Sequence, residues 1–230
     1  MKIIIFGLGN FGTSLALKLT ETGNEVIGID HKMEKINLVK DKIAHTICMD
    51  ATNELAYDAI PLKDTNIAVV AIGENEGAAI ITTAILKKIT KADIISRSLS
   101  PIHDTVLKAM GINRIVHPEQ EAAEKLTSKI NLKNVIDSFN IDKNYSISEI
   151  KINARMAGKT LQELSFRQHY NLNVVTILRD CEKTNLLGNK MQKKEVIGIP
   201  NNETKLQEND ILIVFGNNND ITAFGVDLAE

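Results

Sequence analysis

The stretch Ile3-Ile4-Ile5-Phe6-Gly7-Leu8-Gly9-Asn10-Phe11-Gly12 decides how the rest of this chain is read. Four apolar β-formers end abruptly in Gly-x-Gly-x-x-Gly, and an apolar helical pattern follows from Ser14 to Leu19. Strand, glycine-rich turn and helix in that order form the dinucleotide-binding fingerprint. The first glycine makes the tight turn and the second lets backbone approach a pyrophosphate. The third lets helix and strand pack closely, and the helix N-terminus offers N–H groups to phosphate oxygens. Asp30 stands eighteen residues beyond Gly12, at the end of the next strand pattern, Glu25 to Ile29. A carboxylate there accepts hydrogen bonds from ribose hydroxyls. It suits NAD or an adenine nucleotide and argues against a 2′-phosphate, without choosing between NAD(H) and ATP or ADP.

Outward from this unit, strand and helix patterns alternate. Strands are predicted at Lys2–Phe6, Glu25–Ile29, Thr46–Met49, Ile67–Ile72, Ile94–Arg97 and Arg114–Val116. Helices are predicted at Glu34–Val39, Asn53–Ala59, Gly77–Lys88, Ile102–Met110 and Pro118–Ile130. The continuous apolar run Ile67-Ala68-Val69-Val70-Ala71-Ile72 suits a central parallel strand covered on both faces. Six such strands predict an α/β fold, a Rossmann-type doubly wound parallel sheet.

The pattern changes after about residue 131. Residues 131–144 are polar and read as a connector, with a short helix around Val135 to Phe139. Tyr145 to Ile152 alternates as a half-buried strand does. Further strands are expected at Asn173–Arg179 and Ile211–Phe215, and short helices at Thr160–Leu164 and Asn219–Phe224. Cys181 to Glu208 reads as polar and irregular. The division is thus a nucleotide-binding domain over 1–132 and a small α+β domain over 133–230.

Composition removes several functions. Lys plus Arg is 27 and Asp plus Glu is 29, a net charge of −2, so no basic surplus exists for nucleic-acid binding. Six Phe, three Tyr and no Trp leave no base-stacking platform and require an aliphatic core. No uncharged apolar run approaches the ~18 residues of a membrane span. Ile3–Phe6 is cut short by Gly7, so it reads as a strand and not as the start of a signal peptide. A cytoplasmic protein without direct membrane insertion is expected. Cys48 and Cys181 are isolated, with no metal-ligand spacing.

Polar residues gather at the predicted carboxyl ends of the strands, where ligands bind in such sheets. They are Asp50-Ala51-Thr52, Gly73-Glu74, Arg97 and His117-Pro118-Glu119. An NAD-dependent oxidoreductase would also need an acid or base from the second half facing the nicotinamide. Only His169, of five histidines, lies there, in Arg167-Gln168-His169-Tyr170. A nucleotide-sensing module without chemistry fits better.

The run Ile3 to Gly12, with Asp30, Asp50-Ala51-Thr52, Val69 to Gly73 and His117-Pro118-Glu119, resembles the regulator-of-potassium-conductance (RCK) domain. It is similar, more narrowly, to the TrkA/KtrA-type cytosolic regulatory subunit of bacterial Trk/Ktr potassium uptake systems. Leu164-Ser165-Phe166-Arg167, Asn173-Val174-Val175 and Asn209-Asp210-Ile211-Leu212 resemble that family's C-terminal domain. The resemblance implies homodimers assembled into an octameric ring, docked on the inner face of the membrane against a Trk- or Ktr-type potassium-translocating subunit. ATP/ADP or NAD(H) in the Rossmann site would change the ring and gate the partner. It assigns phosphate cradling to Gly7, Gly9 and Gly12, ribose to Asp30, and the adenine-side crevice to Asp50 and Thr52. Ala51, Phe11 and Gly73 line the same site, and Arg97 faces the phosphates. Glu119 matches an acid that helps hold a cation between nucleotides of paired subunits. Asn10 departs from the pattern: many ATP-binding relatives carry Arg there, and Asn lacks its charge. Arg167, Asn173 and Val174 match positions at which some relatives bind cyclic di-AMP.

Overall fold

A computed structural model describes residues 1–131, 134–184 and 190–228. The chain divides into two compact units, Met1–Gln120 and Glu121–Glu230. That division falls just inside a helix, ahead of the polar connector where the sequence puts it.

The first unit runs β1 (Lys2–Phe6), α1 (Asn10–Glu21), β2 (Glu25–Asp30), α2 (Met33–Val39), β3 (His45–Cys48), β4 (Ile67–Val70), α3 (Glu76–Ile89), β5 (Asp93–Arg97), α4 (Pro101–Ala109) and β6 (Arg114–Val116). Two 3-10 turns, Glu54–Ala59 and Leu62–Asp64, replace an α-helix between β3 and β4. Pro61 lies between them and cannot donate a helical hydrogen bond. All six strands are parallel, in the order β3-β2-β1-β4-β5-β6. The order reverses between β1 and β4, which opens a crevice at their carboxyl ends.

The apolar runs explain this sheet. Side chains alternate across a strand, so Ile4, Phe6, Ile27, Ile29 and Val70 enter one core while Ile3, Ile5, Val26 and Val69 enter the other. Both faces are buried under helices, which needs unbroken apolar strands.

Helix α4 buries His103 completely, and neither ring nitrogen has a hydrogen-bond partner. Burial lowers its pKa below the usual 6.5, against the weaker opposing fields of Glu76 on α3 and Asp104 on α4. The unfolded chain therefore takes up a proton that the folded chain refuses. Stability from this group is complete above pH 6.5 and declines as pH falls toward the folded value, by at most about 1.4 kcal/mol per pH unit. Urea midpoints measured from pH 7 to 5 should drop less in His103→Leu than in the natural chain.

The second unit contains α5 (Pro118–Asn131, shared across the division), β7 (Val135–Asn140), β8 (Tyr145–Lys151), α6 (Leu161–Leu164), α7 (Phe166–His169), β9 (Asn173–Thr184), β10 (Lys190–Val196), β11 (Ile211–Asn217) and α8 (Asn218–Asp227). Its strands make an antiparallel sheet in the order β10-β9-β11-β8-β7. Two expectations are corrected here. Val135 to Phe139 is a strand and not a short helix: it pairs with β8 from Val135↔Ile150 to Asn140↔Ser146, with a bulge after Val135. The free edge of β8 supplies hydrogen bonds that override a weak local preference. Part of the stretch from Cys181 to Glu208 is also ordered as the end of β9 and as β10, paired from Lys190↔Thr184 to Val196↔Leu178. Its polar sequence suits an edge strand, where charge discourages further pairing. Residues 185–189 of that stretch lie outside the described residues.

Phe166, Tyr170 and Phe224 meet in this unit's core, with Tyr170 and Phe224 centroids 4.6 Å apart.

Candidate functional site

A cleft of about 1070 Å³ lies in the first unit at the crevice between β1 and β4. Gly7 leaves β1 with φ +97°, a left-handed conformation that favours glycine. A Cβ built on Gly12 would lie 1.9 Å from the Gly7 carbonyl oxygen, so α1 packs backbone to backbone on the loop. Gly9 is the N-cap of α1, and a Cβ there would meet nothing within 4 Å. The space above it faces the cleft.

The Thr13 N–H donates to the Gly9 carbonyl at 2.9 Å and opens the helical ladder. The N–H groups of Asn10, Phe11 and Gly12 precede it, no side chain caps them, and the first turn has no acid. Helices α2, α3 and α4 each carry an acid there: Glu34, Glu76 and Asp104. An anion over Gly9 would complete α1 electrostatically.

Asp30 ends β2 and is 5% exposed. Its Oδ2 accepts the Leu8 N–H at 2.8 Å and its Oδ1 the Lys32 N–H at 2.9 Å. The carboxylate therefore pins the glycine loop to β2 and keeps lone pairs for a ligand hydroxyl. Asp50 Oδ1 accepts the Thr52 N–H at 2.8 Å and the Thr52 hydroxyl at 2.7 Å. The backbone bond, then the hydroxyl, holds its pKa below the ordinary value. The Ala51 carbonyl accepts the hydroxyls of Tyr57 and Thr82.

Arg97, from the end of β5, enters the opposite bank. It pairs with Glu119, lies 5.8 Å from the Phe11 ring centroid, and has a buried Nε with no partner. A Cβ on Gly73 would come within 2.3 Å of the guanidinium, so only glycine leaves Arg97 its place.

Gly7, Gly9, Asn10, Phe11, Asp30, Asp50, Ala51, Thr52, Gly73, Arg97 and Glu119 all line this one cleft. Gly12 does not; it acts beneath the loop, as its packing role in the fingerprint requires. The sequence reading missed Lys32 and Lys35, which clamp Glu74 at 2.9 and 3.0 Å. Hydrogen bonds from the two ammonium groups lower the Glu74 pKa to about 2. No motif links residues 39 and 42 positions apart, so only folding brings them together.

A smaller cleft adjoins Arg97 and Glu119, where His117 Nε2 lies 2.7 Å from Asp104 Oδ1. Among the described residues no three His, Cys, Asp or Glu side chains are grouped to hold a metal ion. In the second unit Arg167 donates from Nε and Nη2 to Asn173 Oδ1, at 3.1 and 2.7 Å. Val174 packs half-buried against that unit's core, and His169 Nδ1 lies 3.1 Å from the Leu164 carbonyl.

These features define a Rossmann-type α/β domain with its glycine loop at the switch point, followed by an antiparallel α+β module. The chain belongs to the TrkA family: residues 3–118 match the TrkA-N domain and residues 146–225 the TrkA-C domain. It is 35% identical to the Ktr system potassium uptake protein C of Bacillus subtilis (strain 168), over 97% of this chain and 95% of that protein. The Ktr system potassium uptake protein A of the same organism is 27% identical with the same coverage. Among solved structures, the GsuK RCK domain aligns with TM-score 0.62 and 16% identity, over all of this chain and 48% of that one. A GsuK channel bound to NAD aligns with TM-score 0.60 and 17% identity, over all of this chain and 39% of that one. This chain thus spans about half or less of those solved chains, and the likeness to them is one of fold.

Proposed function

We propose that this chain is a non-enzymatic, nucleotide-sensing cytoplasmic subunit that regulates a Trk- or Ktr-type potassium-translocating membrane protein. The observation that carries the reading is the cleft itself. Uncapped N–H groups of α1, the Asp30 carboxylate and the Arg97 side chain converge on one space. Phosphate, ribose and a second phosphate charge fit those groups in that order. The Ktr relatives, each a named potassium uptake protein, support the transport context. No described helix is long and apolar enough to cross a membrane.

Regulation follows from linkage. A nucleotide moves a ring of subunits only if it binds two ring states with different affinity. Homodimers closing into an octamer would supply such states. Glu119 could join a cation held between nucleotide phosphates of paired subunits. Asn10 brings no charge to the phosphates, which disfavours strong selection of ATP over ADP or NAD(H). Arg167, already oriented by Asn173, is available to a phosphate of cyclic di-AMP in the second unit.

The test is a calorimetric titration with ATP, ADP, NAD⁺, NADH and cyclic di-AMP, alongside thermal melts. Bound nucleotide should raise the melting temperature without being consumed. Reproducible hydride transfer to a small substrate would instead favour the oxidoreductase reading. Asp30→Ala should weaken adenine nucleotides roughly tenfold or more, because it removes both a charge-assisted hydrogen bond to ribose and the tie that holds the glycine loop to β2. Unchanged affinity in that variant would mean the cleft does not read ribose.

A further inference from the structure

We infer that Glu74 is a specificity-determining residue of the cleft, which neutralises Lys32 and Lys35 beside Asp30 and so turns away ligands carrying a phosphate on the ribose. The inference rests on the nucleotide reading above and adds to it a residue and a rejected ligand class.

Lys32 lies just ahead of α2 and Lys35 in its first turn, after β2. Glu74 stands on the loop after β4. Strand β1 runs between β2 and β4, so these ion pairs reach across the crevice from bank to bank. Lys35 Nζ sits 3.0 Å from Glu74 Oε1 and 3.8 Å from Asp30 Oδ2. Its side chain is only 21% exposed, against 63% for Glu74. Lys35, Glu74, His31 and Asp30 all line the cleft. A ribose hydroxyl bonded to Asp30 would therefore point its 2′ edge at Lys35.

Two ammonium groups there would ordinarily attract a 2′-phosphate. Asp30 alone does not cancel them, because it already accepts two backbone N–H groups and carries one charge against two. Glu74 supplies the second negative charge and occupies ammonium hydrogens that a phosphate would need. It thereby reinforces the discrimination usually credited to the acid at the end of the second strand. Asp30 also ties down the loop, so it cannot be removed to relax specificity without disturbing the fold. Among the described residues Glu74 accepts no such backbone bond and bonds only the two lysines, so its substitution changes charge more than fold.

The experiment compares two ligand pairs, NAD⁺ with NADP⁺ and 5′-AMP with adenosine 2′,5′-bisphosphate, in the full chain at pH 8, where an ordinary histidine is neutral. Glu74→Gln should improve the affinity of the 2′-phosphorylated member about fivefold relative to its parent, in line with freed surface charges. The gain should shrink as salt rises from about 0.05 to 0.5 M. Glu74→Asp should keep the natural ratio. If the natural chain binds a parent ligand and Glu74→Gln leaves both ratios unchanged, this inference is wrong and the nucleotide reading stands. If the natural chain binds neither NAD⁺ nor 5′-AMP, this inference is wrong; if it binds no ATP or ADP either, the nucleotide reading fails with it.

Discussion

Asp210→Ala should destabilise the second unit by about 3–5 kcal/mol, the expected result of stranding a buried ion-pair partner. Asp210 is fully buried. It accepts Arg179 Nε at 2.9 Å, Arg179 Nη2 at 2.7 Å and the Gln207 N–H at 2.8 Å. Arg179 also donates to the Lys205 carbonyl at 2.9 Å. These bonds tie β9 to the turn that starts β11, where Asn209 takes a left-handed conformation with φ +67°. Alanine removes the carboxylate and leaves both a largely buried guanidinium and a backbone N–H without their partner. For a unit of this size the melting temperature should fall by roughly 12 °C or more. Hydrogen exchange along β9 and β11 would localise the loss. Replacing both partners, Arg179→Met with Asp210→Leu, should recover much of it, because a well-packed apolar pair avoids the desolvation penalty. A loss below about 1 kcal/mol in the single variant would show that water repairs the site.

Gly12→Ala should remove both nucleotide binding and stability, whereas Gly9→Ala should remove binding alone. The Gly12 Cβ would lie 1.9 Å from the Gly7 oxygen, 3.0 Å from its carbonyl carbon and 3.3 Å from the Ala71 Cβ. Two of these are backbone atoms, so no rotamer change relieves the clash. Either α1 lifts from the sheet or the loop distorts, and the N–H groups lose their aim. Overpacking of this kind costs about 1–3 kcal/mol, and binding should weaken at least tenfold. Gly9 has φ −69° and open space where a Cβ would go. Alanine is therefore tolerated there until a phosphate approaches. Melting curves with and without ADP or NAD⁺ separate the cases. Equal stability in the two variants would contradict the packing role of Gly12.

Much of the first unit was legible because its signals are local. Glycine spacing and the apolar run from Ile67 each reflect a constraint that acts within a few residues, and the acid at the end of β2 is found by its set distance from the glycines. Parallel strands covered on both faces also leave little freedom in sequence. The second unit was less legible. Val135 to Asn140 becomes a strand through the free edge of β8. Lys190 to Val196 extends a hairpin whose polar pattern suits an edge and disguises a strand. In the site, Asp30 was readable by its position, but its bonds to the Leu8 and Lys32 N–H groups were not.

By itself, then, the sequence determined the strand–loop–helix unit, the parallel order that follows from it, and the residues at the strand ends. Those depend on backbone geometry that few residue types satisfy. Only the tertiary structure decided which charges meet. Lys32 and Lys35 close on Glu74 across β1, Arg97 turns to Glu119 over Phe11, and Arg179 locks Asp210. Such pairings join residues 22 to 42 positions apart and carry no periodicity. Electrostatic partners are chosen by distance in space, and that distance exists only once the sheet has formed.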